Sequence, residues 1–407
     1  MKILRIKING RNTPVTLPTR IIIYFCVMLI GVMLRTYITH TITIVWIVNL
    51  TGLIGLFMPY FRYYERGIAL LSVIYIIFAF LTLVVSSKYI TGSVKALGTN
   101  VNIIILPLLL NLAMSYKAKI ELVNNVKAIL SFLSFLGIIA FLFAWAVNFD
   151  EILKVFFGTS AYKVDVSGFF YSKNIYGAFI SLTIAADLYL LSLRKSFRKI
   201  VIIGAKYLAV VLSFSRAALL QAGIMTVVFL GVKYRNRIKD YIVPIVFVII
   251  CAGVLVLIKY NSWLYSFLYN SVFRFDVGDA GREVLRNQAV EKVEDNLLEF
   301  ILGVGFAGID TLGIDIDNTY LYVMFSGGVF KAIFYVIIMC FSLLRIIQIR
   351  HKNKELYRIC LSVYISYLFF AFFESVAVLE LGLLNFIFTF FLFVIPFTYD
   401  IGNRMAR

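Results

Sequence analysis

The chain has 407 residues, of which 62% are apolar and 16% aromatic, and its mean hydropathy is +0.94. A soluble domain is only about half apolar, so these values exclude an ordinary soluble globule and indicate an all-α, polytopic membrane protein. The net charge of +18 does not indicate a nucleic-acid-binding protein, because Lys and Arg form short clusters between apolar runs instead of one basic surface.

The apolar runs predict twelve membrane-spanning helices in one transmembrane domain that covers residues 1–407, since each span needs about 20 apolar residues. The basic N-terminal residues 1–20 precede the first run, and no small-residue cleavage pattern follows it. We therefore interpret them as a retained tail and not as a signal peptide. The predicted spans lie near residues 20–36, 41–60, 67–86, 100–116, 128–147, 174–192, 200–214, 217–232, 241–259, 319–344, 359–379 and 382–399.

Lys and Arg concentrate in alternate connections between these spans. With the N-terminus placed in the cytoplasm, the inner segments contain 25 of the 39 basic residues. Because basic residues favour the cytoplasmic side of a membrane, we predict that both termini are cytoplasmic. The connection at 87–99 fits least well, since it should lie outside although it contains Lys88 and Lys95 and no acid.

Two long polar segments, residues 148–173 and 260–318, fall on the predicted outer side. A stretch that overlaps the second, residues 274–322, contains ten of the 21 acidic residues. Within it, apolar residues recur every four positions, which predicts an amphipathic helix. There are two interpretations of that helix. It either has no role beyond lying on the membrane surface, or it forms the outer face of an active site. Its apolar face consists of Leu285, Ala289, Val293, Leu297 and Ile301.

The cysteines and histidines of the sequence favour neither a disulfide framework nor a metal site. The four cysteines lie inside or at the edge of apolar runs. His40 and His351 are too far apart to form a histidine site. We therefore predict no metal and no cofactor, and we expect any general base to be a carboxylate.

Two arginines are candidates for binding an anion. Arg216 lies at the predicted outer turn between two short spans, where its planar guanidinium suits a phosphate or pyrophosphate; the alternative is an arginine that anchors a span end at the interface. Arg282 lies at the predicted start of the amphipathic helix, and a helix N-terminus with an arginine favours an anion. Its alternative is a solvent-facing charge paired with Asp279 or Glu283.

Polar residues also precede the tenth span. Asp317 follows a glycine-rich stretch, and its carboxylate is a candidate base for a hydroxyl nucleophile. The alternative is that Asp317 or Asn318 simply caps the helix. Asp310, Asp315 and Asp317 together are also a candidate site for a divalent cation, which is the weaker option because nothing in the sequence fixes their geometry.

The sixth span begins with Lys173 and Asn174, and Asn174 is a candidate cap for it. The aromatic residues just before them, Phe169 to Tyr171, suit either stacking on sugars or an interfacial belt. Several ionisable residues lie within spans or near their outer ends, where charges are costly. Pairing between helices would make them structural, whereas a transporter would use them for coupling. They are Arg35, Asp187, Lys206, Lys331, Glu374 and Glu380.

Four stretches together resemble the O-antigen polymerase and ligase family, and most closely its polymerase branch for capsular or exported polysaccharides. They are FSRAALLQ around Arg216, GFFYSKNIYG around Asn174, DAGREVLRNQA around Arg282, and GVGF with DNTYLYVMFSGGVF around Asp317. The resemblance covers residues 160–345 by motif and the whole chain by topology.

The resemblance implies an inverting, metal-independent glycosyltransferase of the bacterial cytoplasmic membrane, with an undecaprenyl-pyrophosphate-linked sugar as donor. In that family, arginines at the positions of Arg216 and Arg282 hold the donor pyrophosphate. Ligases of the family carry a histidine near Asp317, so this chain departs from the ligase pattern and Asp317 is left as the candidate catalytic base. The residues that we assign to substrate binding are Lys173, Asn174, Asn318 and Tyr320.

The sequence-based hypothesis is a polysaccharide polymerase that joins lipid-linked oligosaccharide repeat units on the outer face of the membrane. Its expected partners are those substrates, the bilayer and, as a candidate, a chain-length regulator protein; nucleic acid is not expected. The first alternative is a flippase or other transporter, which would not need a long acidic outer segment. The second is a ligase that moves finished glycan to another acceptor. A peptidoglycan polymerase of the cell-shape family is a third, although its loop motifs are absent from the sequence.

Overall fold

In the computed structural model of the chain, the described residues form helices and their connections, apart from one short N-terminal hairpin. Apart from this hairpin, the helical character expected from the sequence is confirmed for the described residues. The described residues are 5–8, 11–14, 16–39, 125–156, 166–234, 296–311, 316–378, 380 and 382–399, with single positions between 48 and 122.

The hairpin precedes the first helix. Strands β1 (Arg5–Ile8) and β2 (Arg11–Pro14) pair antiparallel. The two residues between them are Asn9-Gly10, a pair typical of two-residue hairpin turns. Helix α1 (Leu17–Leu34) then begins with a proline at its second position, where the fixed φ of proline suits a helix start. A π-helical turn, Arg35–Thr39, continues it.

The remaining helices are numbered in chain order within the described residues. They are α2 (Val126–Val147), α3 (Phe149–Phe156), α4 (Lys173–Leu193), α5 (Phe197–Leu212), α6 (Arg216–Tyr234), α7 (Leu297–Leu302), α8 (Gly305–Thr311), α9 (Thr319–Ile349), α10 (Lys354–Phe370), α11 (Leu383–Thr389) and α12 (Ile395–Tyr399). A π-helical segment, Phe390–Val394, joins α11 to α12.

Five helices in the described part of the chain are long and apolar enough to cross a membrane. Each coincides with a span that the sequence predicts. The predicted spans near 41–60, 67–86, 100–116 and 241–259 fall mostly or wholly outside the described residues, so the total of twelve stays a prediction. The five helices are Leu17–Tyr37, Val126–Val147, Lys173–Leu193, Arg216–Tyr234 and Thr319–Ile349.

The predicted eleventh span, 359–379, extends too far toward the C-terminus. Helix α10 ends at Phe370, because the residues that follow bond to the start of α9 instead of continuing the helix. The N–H of Thr319 donates to Ala371 O at 2.8 Å. The Thr319 hydroxyl donates to Glu374 O at 2.6 Å and accepts from the N–H of Val376 at 2.9 Å.

Contacts between residues divide the chain into two compact units, which we describe separately. The first unit comprises Met1–Phe132, Arg282–Cys360 and Ala371–Arg407, and the second comprises Leu133–Gly281 and Leu361–Phe370. The single transmembrane domain expected from the sequence stays a prediction.

The second unit is built around α4, whose residues 176–190 are all buried. A helix that is buried on every side is a core helix, and α5 and α6 both pack against it. Small residues permit these approaches. A methyl group at Gly137 of α2 would overlap the side chain of Thr183 on α4, and the Ser181 hydroxyl of α4 donates to Ala218 O of α6 at 3.0 Å.

In the first unit, α7 and α8 pack against the N-terminal part of α9. Helix α7 begins at Leu297 because Asn296 has an extended backbone and its side-chain oxygen accepts from the N–H groups of Leu298 and Glu299. The prediction of one amphipathic helix that runs unbroken from Leu285 to Ile301 is therefore wrong. Its earlier part, 285–295, lies outside the described residues. A buried cluster holds α8 and the residues that flank it against α9; it consists of Val304, Ile309, Ile316 and Phe325.

Helix α9 is broken at Gly328, which has φ 70° and ψ −173°. The backbone of Gly303 fits against this break, since a methyl group there would overlap the backbone nitrogens of Gly327 and Gly328. The N–H of Val304 donates to Phe325 O at 2.8 Å. Residues 329–349 are long enough to cross the roughly 30 Å hydrocarbon core by themselves at about 1.5 Å per residue. The break therefore separates a part of spanning length from a short part that begins at Thr319.

Candidate functional site

Arg216 is the first residue of α6 and is exposed. It follows a tight turn in which Phe214 has φ 53°, a region that residues with side chains rarely occupy. The hydroxyl of Ser213 accepts from the N–H of Ser215 at 3.3 Å. The hydroxyl of Ser215 accepts from the N–H of Ala218 at 3.3 Å and caps α6. The turn that the sequence predicts between the seventh and eighth spans therefore leads into a capped helix, and Arg216 is the first residue of that helix.

Lys173 and Asn174 are the first two residues of α4, and both are half-buried. Asn174 does not cap this helix, contrary to the sequence-based expectation. Ser172 is the cap, since its hydroxyl accepts from the N–H of Asn174 at 3.2 Å. The asparagine side chain thus lies one residue inside the first turn.

The starts of α4 and α6 lie side by side in the second unit. A methyl group at Gly177, in the second turn of α4, would lie 2.7 Å from both Ala218 Cβ and Ser213 Oγ, so the two backbones are as close as glycine permits. The hydroxyl of Ser181, one turn further along, donates to Gly177 O at 2.9 Å and to Ala218 O at 3.0 Å. The structure thereby brings together three residues predicted for the site, at the same end of neighbouring helices: Lys173, Asn174 and Arg216.

Among the described residues, the starts of α4 and α6 have features that favour an anion. A helix N-terminus is equivalent to roughly half a positive charge, and α4 and α6 contribute two of them. The first turns of both helices lack acidic residues, and they contain Lys173 and Arg216. Cations at helix N-termini are unfavourable because they add to the positive end of the dipole. Phosphate and pyrophosphate are ligands that helix N-termini favour.

The aromatic residues before α4 do not form an exposed surface together. Phe169 and Phe170 are 2% and 1% exposed, and their rings stack on each other with centroids 4.7 Å apart. Phe170 also contacts the ring of Phe179 on α4. Both therefore belong to the core of the second unit, which excludes them from sugar stacking. Tyr171 is 48% exposed and is the one of the three that remains accessible.

Asp317 and Asn318 precede α9 in the first unit. Asn318 is the helix cap, since its side-chain oxygen accepts from the N–H groups of Tyr320 and Leu321 at 2.9 and 3.1 Å. Its side-chain nitrogen donates to Phe372 O at 3.2 Å, and the residue is buried. Asp317 is exposed. Of the alternatives weighed for this pair, the capping role thus belongs to Asn318, and the Asp317 carboxylate does not cap the helix.

The residues that follow α10 wrap around the start of α9. Tyr320 packs its ring against that of Phe372, with centroids 4.8 Å apart and planes inclined by 54°. Phe372 is 53% exposed. Nothing in the apolar segment AFFESVAV marks this contact, so sequence reasoning missed Phe372.

Two of the remaining sequence-based candidates fall outside the described residues. Arg282 does, and its role stays a prediction. Asp315 does as well, so the cation set that would contain it is untested. Among the described residues, no three His, Cys, Asp or Glu side chains lie close enough together to hold a metal ion.

Four of the six ionisable residues that the sequence places in spans or near their outer ends pair with each other, as expected if their role is structural. In the second unit, Lys206 of α5 pairs with Asp187 of α4. In the first unit, Lys331 of α9 pairs with Glu380 at 2.8 Å, and its amine also donates to Ser326 Oγ at 2.9 Å. These cations therefore stabilise contacts between segments of one unit.

No protein-family model, curated protein or solved structure matches the chain. The fold itself defines a class, that of a helical membrane protein. Within it, the described residues provide a positive pair of helix starts in one unit and a capped helix start beside an exposed carboxylate in the other.

Proposed function

We propose that the protein is a polysaccharide polymerase of the bacterial cytoplasmic membrane. It transfers undecaprenyl-pyrophosphate-linked oligosaccharide onto the end of another lipid-linked repeat unit on the outer face, with inversion and without a metal. The observation that carries the proposal is the adjacency of the starts of α4 and α6, with Lys173 and Arg216 in their first turns. A pyrophosphate is a ligand that matches two helix N-termini and two cations.

The donor is bound by residues at the starts of α4 and α6 in this proposal. The acceptor hydroxyl oxygen forms a bond to the anomeric carbon while the bond from that carbon to the pyrophosphate oxygen breaks. The electron pair leaves with undecaprenyl pyrophosphate, whose growing charge is stabilised by Arg216 and by the backbone N–H groups of the helix starts. Lys173 and Asn174 orient the donor, and Arg282 is assigned to the same pyrophosphate on the family resemblance alone.

In this proposal, Asp317 is assigned to the acceptor on the family resemblance alone. The exposed carboxylate of Asp317 takes the proton of the attacking hydroxyl, a contribution of about 10²–10⁴-fold to the rate. Asn318 caps α9 and so positions the residues at its start. Its side-chain oxygen and nitrogen both bond to the backbone. Tyr320 lies in the first turn and contributes its ring to the acceptor side.

Substitution of Arg216 tests the proposal. We expect Arg216→Ala to abolish the polymer while single repeat units accumulate on lipid, and Arg216→Lys to restore only part of the activity, because an ammonium lacks the planar fork. The measurement is the length distribution of the host's polysaccharide together with its lipid-linked intermediates. Arg194→Ala is the matched control, since Arg194 is also exposed and lies at the opposite end of α4. An unchanged length distribution in Arg216→Ala would contradict the proposal.

A lipid-linked oligosaccharide flippase or other transporter is the alternative that a specific observation favours. The buried pair of Asp187 and Lys206 is the type of intramembrane charge that transporters use for coupling. Reconstituted vesicles separate the two activities: movement of lipid-linked oligosaccharide without bond formation favours the transporter. A ligase differs from a polymerase in the acceptor that product analysis identifies.

A further inference from the structure

In the described part of the chain, three side chains bury all of their polar atoms without any hydrogen-bond partner: Trp145, Tyr176 and Gln221. Arg345 and Glu355 each bury one unpaired atom but are bonded through another. Gln221 lacks a partner on both its amide oxygen and its amide nitrogen, and it and Tyr176 are 0% exposed. Unpaired buried polar groups are costly and rare in proteins, so these side chains require an explanation.

Two of these side chains lie near the adjacent starts of α4 and α6. Tyr176 is three residues after Lys173, so both lie on one face of α4. Gln221 is three residues after Ala218 in α6, and Ala218 packs so closely on α4 that only a glycine, Gly177, fits opposite it. Because side chains in a helix lean toward its N-terminus, the hydroxyl and the amide are both directed toward the two helix starts.

The chemistry of these two groups matches one part of a lipid-linked sugar. Phosphate oxygens only accept hydrogen bonds, so a pyrophosphate would leave the carbonyl oxygen of Gln221 unpaired. A polyprenyl chain would leave all of these atoms unpaired. Sugar hydroxyls both donate and accept, and so do the Tyr176 hydroxyl and the two ends of the Gln221 amide. Of the three parts of the donor, the sugar is therefore the one that would satisfy them.

We propose that Tyr176 and Gln221 bind the sugar ring that is joined to the donor pyrophosphate and thereby determine which sugar is accepted. The inference rests on the proposed function and adds a sugar subsite to its donor site. With the pyrophosphate at the two helix starts, the sugar bonded to it is the part of the donor nearest to these groups. Both side chains are buried, so they turn outward on binding, a change of rotamer that is common when ligands bind. Trp145 lies on α2 and has no part in the proposal.

Stability separates this role from a structural one. Removal of an unpaired buried polar group costs no hydrogen bond, so we expect Tyr176→Phe and Gln221→Leu to keep or raise the Tm of the full-length protein in detergent. Tyr207→Phe is the matched control, since the Tyr207 hydroxyl, in α5 of the same unit, donates to Ala222 O at 3.1 Å. That variant should have a lower Tm. An equal loss of Tm in all three variants would show that Tyr176 and Gln221 are structural and would overturn the proposal.

Two ligands separate sugar recognition from pyrophosphate binding. One is the lipid-linked repeat unit, extracted from a host strain that lacks this protein; the other is undecaprenyl pyrophosphate, which has no sugar. The Kd of each is measured on the solubilised full-length protein. We expect Tyr176→Phe and Gln221→Leu each to raise the Kd of the repeat unit by about 2–10-fold, as for the loss of one neutral hydrogen bond. The Kd of undecaprenyl pyrophosphate should stay the same, and Tyr207→Phe should change neither.

The sugar subsite and the polymerase fail in different ways. The subsite is wrong if the unsubstituted protein binds both ligands equally, or if Tyr176→Phe and Gln221→Leu weaken neither ligand or both alike. If Arg216→Ala meanwhile weakens both ligands and blocks polymerisation, the polymerase stands without the subsite. If Arg216→Ala makes normal polymer, the polymerase is wrong, and the subsite falls with it as part of a donor site.

Discussion

Lys206 Nζ lies 2.5 Å from Asp187 Oδ2, and the two side chains are only 1% and 3% exposed. The Ser134 hydroxyl donates to the other oxygen of Asp187, and the Lys206 amine also donates to Ser134 O at 3.0 Å. One charge pair therefore joins α2, α4 and α5 inside the second unit. A buried pair of this kind is satisfied as it stands, but either partner alone would be an uncompensated charge.

Removal of one partner should accordingly destabilise the second unit. We expect Lys206→Met to lower the free energy of unfolding by about 3–5 kcal/mol, and the double variant Asp187→Leu with Lys206→Met to recover part of this loss. Unfolding in mixed micelles with increasing SDS measures both. Lys195→Met, at an exposed lysine just after α4, should have little effect. Equal stability of the single and double variants would show that the pair contributes nothing beyond its packing.

The break in α9 depends on the absence of a side chain at Gly328. A methyl group there would overlap the carbonyl of Ile301, and φ of 70° is strained for any residue with a Cβ. We expect Gly328→Ala to destabilise the first unit by about 1–3 kcal/mol and to displace α7 from α9. Thermal unfolding in detergent checks the stability. Gly204→Ala is the control, because open space surrounds Gly204 in α5; alanine should be neutral or mildly stabilising there.

The helix positions were predictable where polar residues interrupt apolar runs. Arg216 and its serine mark the turn between α5 and α6, and Lys173 marks the start of α4, because hydropathy changes sharply at these points. The end of α10 was not predictable in this way. Residues 371–378 are as apolar as a helix interior, and they leave the helix only because their carbonyl and N–H groups bond to Thr319, which is more than fifty positions away.

Which charged residues pair with each other could not be predicted from the sequence either, although it was predictable that they would pair. Asp187 and Lys206 are 19 positions apart, and only the packing of α5 against α4 makes them neighbours. Lys331 and Glu380 are separated by 49 positions. For the candidate site, the motifs predicted which residues matter, but the local role of each residue could be read only from the structure. Asn318 caps a helix, and Ser172 caps another in place of Asn174.

The closeness of α4 and α6 should matter for donor binding. Gly177→Ala places a methyl group 2.7 Å from Ala218 Cβ and Ser213 Oγ, so the two helix starts must separate. Because a misplacement of about 1 Å can reduce a rate by about 10²-fold, we expect polymer formation to fall far more than stability. Polymer length and thermal unfolding are measured on the same membranes. Gly223→Ala, in α6 with open space around it, should retain activity, and a fully active Gly177→Ala variant would contradict the adjacency as the basis of the donor site.

Asp317 and Asn318 are neighbours with different predicted roles, and substitutions should separate them. Asn318→Ala removes a helix cap and should cost about 0.5–2 kcal/mol of stability, whereas Asn318→Ser and Asn318→Asp keep a capping oxygen and most of the stability. Asp317→Asn should lower the polymerisation rate by about 10²–10⁴-fold, because an amide accepts no proton from the acceptor hydroxyl. The two measurements are thermal unfolding and the initial rate of polymer growth in isolated membranes. If the Asp317→Asn variant forms polymer at the normal rate and the Asn318→Ser variant does not, Asn318 is the residue that binds the acceptor. The catalytic base is then a different residue from Asp317.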